Sequence, residues 1–88
     1  MSDTAFVLIA EDERAHGEAV AEALRRSGFA CNLVTSGPDA MASIHQRPPD
    51  VVVADYKLGG PVNGMDVLRE AKRKGRKVYV HEFGQEGL

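Results

Sequence analysis

Three acidic side chains stand out by where they fall along the chain. Glu11 and Asp12 follow directly on the apolar run Phe6-Val7-Leu8-Ile9-Ala10, and Asp55 closes the run Val51-Val52-Val53-Ala54. Short continuous apolar stretches rich in β-branched residues match strands buried on both faces, as in a parallel sheet covered by helices. In an open parallel sheet, ligands gather outside the carboxyl ends of the strands, where the strand order reverses. If these two strands are sheet neighbours, Glu11, Asp12 and Asp55 converge on one crevice. Like charges held together raise one another's pKa, and a hard divalent cation relieves the repulsion while favouring oxygen ligands. Mg²⁺ is the natural candidate, and a site of this type suits phosphoryl transfer. A second reading stands beside it at this stage: acids after a strand also cap helices or favour a helix N-terminus, and Glu11, Asp12 and Glu13 precede a helical pattern.

The elements that must position these acids alternate along the chain. After the first strand, the segment to Ser27 is rich in Ala, Glu and Arg and places Ala19, Val20, Ala23 and Leu24 on one helical face. Gly28 supplies a helix-ending residue, and Ala30 to Thr35 reads as a second strand. Ser36 offers a cap hydroxyl with Pro38 in the first turn of a helix reaching Gln46. Pro48-Pro49 forbids its continuation, and Asp50 to Asp55 is the strongest strand signal in the chain. A loop containing Gly59, Gly60 and Pro61 leads to a third helix, Gly64 to Lys74, with Met65, Val67, Leu68 and Ala71 at helical spacing. Lys77 to His81 reads as a fourth strand. The order implies an α/β fold with an open parallel sheet, in one domain over residues 1–88, with a core at about 5–81 and a polar tail at 82–88.

Composition narrows the function. The 88 residues carry 11 Lys+Arg against 13 Asp+Glu, a formal charge of -2, which argues against a nucleic-acid binder held by bulk positive charge. The run Lys72-Arg73-Lys74-Gly75-Arg76-Lys77 is read as cations at a helix C-terminus. The single cysteine, Cys31, excludes an internal disulfide and any CxxC metal motif. The segment Met1-Ser2-Asp3-Thr4 lacks the basic start of a signal peptide, and no run approaches the ~20 apolar residues of a membrane helix. A cytoplasmic protein without membrane contact is the expectation. His45 and His81 have no second ligand at metal spacing.

The stretches FVLIAED, PDVVVAD and DYKLGGPVNGMDVLREAK, in that order, resemble the receiver domain of bacterial two-component response regulators over roughly residues 5 to 80. The resemblance implies a flavodoxin-like sheet and a signalling module rather than an enzyme acting on an external substrate. It further implies that Asp55 is the phosphoacceptor, served by a sensor histidine kinase or a small phosphodonor. For Mg²⁺ it implies Asp12 and Asp55 as ligands, Glu11 through water, and the backbone carbonyl of Lys57. The chain departs from the family pattern beyond the fourth strand. The fifth strand, its helix and its lysine are absent, and Val80-His81-Glu82 stands where a Ser or Thr is the rule. Losing that unit leaves the fourth strand as an edge and uncovers part of the first helix, with Ala19 and Ala23 on the uncovered side, so a homodimer or an element-swapped oligomer is expected. The departures also support an alternative, a phosphorylation-independent interaction module on the same fold.

Overall fold

The computed structural model describes residues 4–55, 58 and 60–80. Four strands, β1 (Phe6–Ala10), β2 (Ala30–Val34), β3 (Val51–Ala54) and β4 (Lys77–Val80), alternate with three helices, α1 (Arg14–Arg26), α2 (Gly37–Gln46) and α3 (Gly64–Arg73). The strands form one parallel sheet in the order β2-β1-β3-β4, so the strand order reverses at β1. This is the open α/β architecture that the alternating pattern implies, without a fifth strand among the described residues. The tail from His81 onward lies outside them.

Local chemistry explains the boundaries. Ser36 Oγ accepts the Asp39 N–H at 3.2 Å, with Pro38 in the first turn of α2. Asn63 and Asp66 close a reciprocal capping box at 3.0 Å in each direction and fix the start of α3. Beyond α1 and α3, Gly28 and Gly75 take φ of +97° and +77°, a conformation that side-chain-bearing residues rarely adopt. Lys72 and Arg73 occupy the last turn of α3, where their charge complements the carbonyl-rich end of the helix.

The two faces of the sheet are covered unequally. Leu8, Ala10, Val52 and Ala54 point to the side of α2 and α3 and are buried there with Ala40, Ile44, Leu58, Val67, Leu68 and Ala71. On the other side, among the described residues, only α1 packs, burying Val7, Ile9 and Ala21, while Val51 and Val53 stay half-buried. The contact face of α1 is set by Gly17, Val20, Ala21 and Leu24. Ala19 and Ala23 are exposed, as expected of an uncovered side, but the apolar stripe runs beside the Ala19–Ala23 line because Gly17 and Ala21 give the closest approach to the sheet. Met65, at core spacing in the sequence, is 47% exposed, because it lies on the flank of α3 that no helix among the described residues covers.

Two contacts hold α2 and the start of α3 in place. Gly37 opens α2 directly against Val62, where an added Cβ would collide with the Val62 carbonyl. That contact is backbone against backbone and leaves no room for a side chain. Further along, Glu70 of α3 receives Arg73 through Nε and Nη2 at 2.9 and 2.8 Å and lies 2.8 Å from His45 Nε2 of α2. The Arg73 bonds, then that of His45, hold the Glu70 carboxyl down at about 2.

Gly37→Ala is expected to lower stability by about 1–3 kcal/mol through overpacking, read from urea denaturation; an unchanged midpoint would remove the Gly37–Val62 contact from the account. Because the folded-state pKa of Glu70 lies below its ordinary 4.5, its network contributes stability above that pH and loses it as pH falls toward 2. Acid titrations of the native protein and of Glu70→Gln are therefore expected to diverge above pH 4.5 and converge near pH 2.

Candidate metal centre

The sheet register brings the acids together. Ala10 of β1 is level with Val34 of β2 on one side and with Ala54 of β3 on the other. The ladder then runs one step past the end of each strand: Glu11 N–H donates to Val34 O at 3.0 Å, and Asp55 N–H donates to Ala10 O at 3.1 Å. Glu11 and Asp55 are thus fixed by main-chain bonds at adjacent strand ends, at the point where the strand order reverses. Leu58 N–H donates to Asp55 O at 2.9 Å.

The three expected carboxylates do meet. One oxygen from each of Glu11, Asp12 and Asp55 lies within 4.8 Å of the others. Their surroundings differ: Glu11 is 1% and Asp55 5% exposed, whereas Asp12 is open to solvent. Glu11 Oε2 accepts the Glu13 N–H at 2.9 Å, while its other oxygen, Oε1, is buried and accepts no hydrogen bond from the described residues. Burial pushes the Glu11 carboxyl up to about 7; the Glu13 N–H opposes the rise, and the Asp12 and Asp55 carboxyls add to it.

The arrangement bears on both readings of the acids. Glu13 occupies the N-cap position of α1 but makes no side-chain cap bond, and Glu11 reaches forward to hold the turn instead. The helix start therefore uses one oxygen of one acid, and capping leaves Glu11 Oε1, Asp12 and Asp55 unexplained. Three clustered carboxylates with a buried, bond-less oxygen fit a hard divalent cation that takes oxygen ligands. The Glu13 N–H, which orients Glu11, is the part of the site that sequence reasoning missed; its signal was a carboxylate two residues ahead of a helix cap. Lys57, expected to offer its carbonyl, lies outside the described residues, as does Tyr56.

The family profile of the response regulator receiver domain matches residues 7–85. The chain belongs to the receiver domain family. Among curated proteins, it is 37% identical over 68 residues to the sensory transduction protein RegX3 of Mycobacterium tuberculosis, covering 77% of this chain and 30% of that protein. It is 31% identical over 74 residues to the transcriptional regulatory protein QseB of Escherichia coli, covering 84% of this chain and 33% of that one. The chain thus spans about a third of the length of the curated relatives it matches. Among solved structures, a CheY-like receiver domain from Methylobacillus flagellatus superposes with a TM-score of 0.81 at 27% identity, covering 98% of this chain and 75% of that one. NtrX from Brucella abortus, solved in complex with ADP, gives 0.84 at 26% identity, covering 96% of this chain and 20% of that one. Receiver domains are signalling modules that bind Mg²⁺ at an acidic pocket, and this receiver domain carries an acidic cluster of Glu11, Asp12 and Asp55 at the ends of β1 and β3. No helix among the described residues is long and apolar enough to cross a membrane.

Because the folded-state pKa of Glu11 lies above its ordinary value of 4.5, ionising it costs stability as pH rises from 4.5 through about 7. Glu11→Gln, which keeps an oxygen for the Glu13 N–H, is expected to be more stable than the native protein above about pH 7 by on the order of 2 kcal/mol without divalent cations. Near pH ~4 the two should match. A stability difference that does not grow with pH in chemical denaturation would show that Glu11 ionises freely.

Proposed function

We propose that this receiver domain is a phosphoacceptor module that takes a phosphoryl group on Asp55 with Mg²⁺ bound beside it. The observation that carries the reading is the convergence of Glu11, Asp12 and Asp55 within 4.8 Å at the carboxyl ends of adjacent strands, with Glu11 Oε1 buried and accepting no hydrogen bond from the described residues. In this reading Asp12 and Asp55 are direct ligands, Glu11 acts through water, and the Lys57 carbonyl completes the protein ligands. A bound Mg²⁺ would supply charge neutralisation for the carboxylates and for the oxygens of the moving phosphoryl group.

The chain's own residues contribute placement. Asp55 is held by its N–H to Ala10 O, so its carboxylate stands at a fixed strand end rather than on a free loop. One Asp55 oxygen attacks phosphorus in line as the bond to the donor breaks; the donor leaves with the electron pair, and an aspartyl phosphate results. Asp12, open to solvent, marks the side from which a donor enters. The donor is proposed to be a sensor histidine kinase or a small acyl phosphate, and the compartment is proposed to be the cytoplasm, where a free thiol such as Cys31 stays reduced.

A second reading, an interaction module that works without phosphorylation, rests on the sequence Val80-His81-Glu82, which has no hydroxyl residue where the family pattern has one. Spectroscopy and labelling separate the two. Amide NMR spectra recorded with millimolar Mg²⁺ are expected to shift near Asp12 and Asp55, and to shift further with a beryllofluoride phosphoryl mimic. Incubation with acetyl phosphate and Mg²⁺ should add a phosphoryl group by intact mass, and Asp55→Asn should lose it completely while keeping a dispersed spectrum. A folded protein indifferent to Mg²⁺ and to the mimic would establish the second reading.

A further inference from the structure

Two connections leave the carboxyl end of the sheet for the helices on one side of it: Thr35 and Ser36 lead from β2 into α2, and the chain after Asp55 leads from β3 to α3. Each begins at a main-chain bond of the acidic site. Val34 O, at the end of β2, accepts the Glu11 N–H at 3.0 Å, and Asp55 O accepts the Leu58 N–H at 2.9 Å. The two connections meet where Gly37 faces Val62.

Gly37 is the first residue of α2 and its φ is not positive, so the position makes no use of the backbone freedom of glycine. Helix propensity alone would favour alanine there. What the position requires is space: a Cβ on Gly37 would meet the carbonyl carbon, the carbonyl oxygen and the Cβ of Val62, a surface that is chiefly backbone.

The elements on both sides of this contact are pinned. The Ser36 cap fixes the start of α2, and Ala40 and Ile44 are fully buried beneath it. Beyond Val62, which packs half-buried on the same core, the Asn63–Asp66 capping box fixes the start of α3. The part able to yield is the chain before Val62, where Gly60 is exposed at φ +98°. Among the described residues, two side-chain fastenings hold the chain between Asp55 and α3: Leu58, 1% exposed in the core, and Val62 against Gly37.

We propose that Gly37 is a positioning residue of the acidic site, which seats Val62 against the start of α2 and so holds the chain after Asp55 in register for Mg²⁺. This role rests on the reading of Glu11, Asp12 and Asp55 as a Mg²⁺ centre. The chain held in this way includes Lys57, whose carbonyl is the proposed fourth protein ligand. Mg²⁺ demands near-ideal octahedral geometry, so a ligand segment fastened by Leu58 alone has to be ordered on binding, and affinity falls.

The test compares Mg²⁺ dissociation constants from amide NMR titrations of the whole chain. Gly37→Ala is expected to raise the constant about tenfold, the lower end of the range for partners that orient metal ligands. Val62→Gly loosens the same contact without a clash and should raise it too, and the double variant should be no weaker than Gly37→Ala, because both changes act on one contact. Ile44→Val, which destabilises the core under α2 without touching that contact, should keep the native constant. An unchanged constant in Gly37→Ala, an equal loss in Ile44→Val, or additive losses in the double variant would each overturn the role of Gly37 and leave the metal centre standing. If Gly37→Ala loses its dispersed spectrum, Val62→Gly decides, and an unchanged constant there overturns the proposal. A native protein whose amides ignore millimolar Mg²⁺ would overturn the metal centre and the role of Gly37 together.

Discussion

The carboxylate cluster is held against its own repulsion by two main-chain hydrogen bonds. Glu11 N–H to Val34 O and Asp55 N–H to Ala10 O extend the parallel ladders one residue beyond β1 and β3. They place two buried acids side by side and hold them there whatever their charge. A shift of one residue in the β1–β3 register would separate the acids and put Leu8 and Val52 on opposite faces of the sheet, so the apolar core and the site depend on the same alignment. The core contributes the favourable burial; the site draws on it, since ionising Glu11 in this position is unfavourable in the absence of a counter-ion.

The unequal coverage of the sheet is the second organising feature. On one side α2 and α3 are joined by the Gly37–Val62 approach and the His45–Glu70–Arg73 network, and Leu8, Ala10, Val52 and Ala54 beneath them are buried. On the other side α1 is the one described helix, and its small residues Gly17 and Ala21 let it settle closely on the sheet.

Much of this was legible in the residues themselves. The apolar runs at Phe6–Ala10 and Val51–Ala54, the cap at Ser36, and the break at Pro48-Pro49 each depend on local preference or short-range sterics, and the elements begin and end within a residue or so of where those features put them. Glu11, Asp12 and Asp55 were visible as candidates because each ends or follows a buried strand. Less legible were the residues whose role is set by a distant neighbour. Helical spacing placed Met65 with the core, yet no element among the described residues covers its flank of α3. Likewise His45 carried no sequence signal, because its partner Glu70 lies 25 residues away on another helix.

The sequence by itself determined the kinds of element, their order and the acids at the strand ends, because hydrophobic period, caps and breakers act over a few residues. Only the tertiary structure decided that β1 and β3 are neighbours, and that Glu11 is buried with one oxygen accepting no hydrogen bond from the described residues. Those facts arise from pairing and packing between segments tens of residues apart, where backbone hydrogen bonding and burial, rather than local preference, select the arrangement.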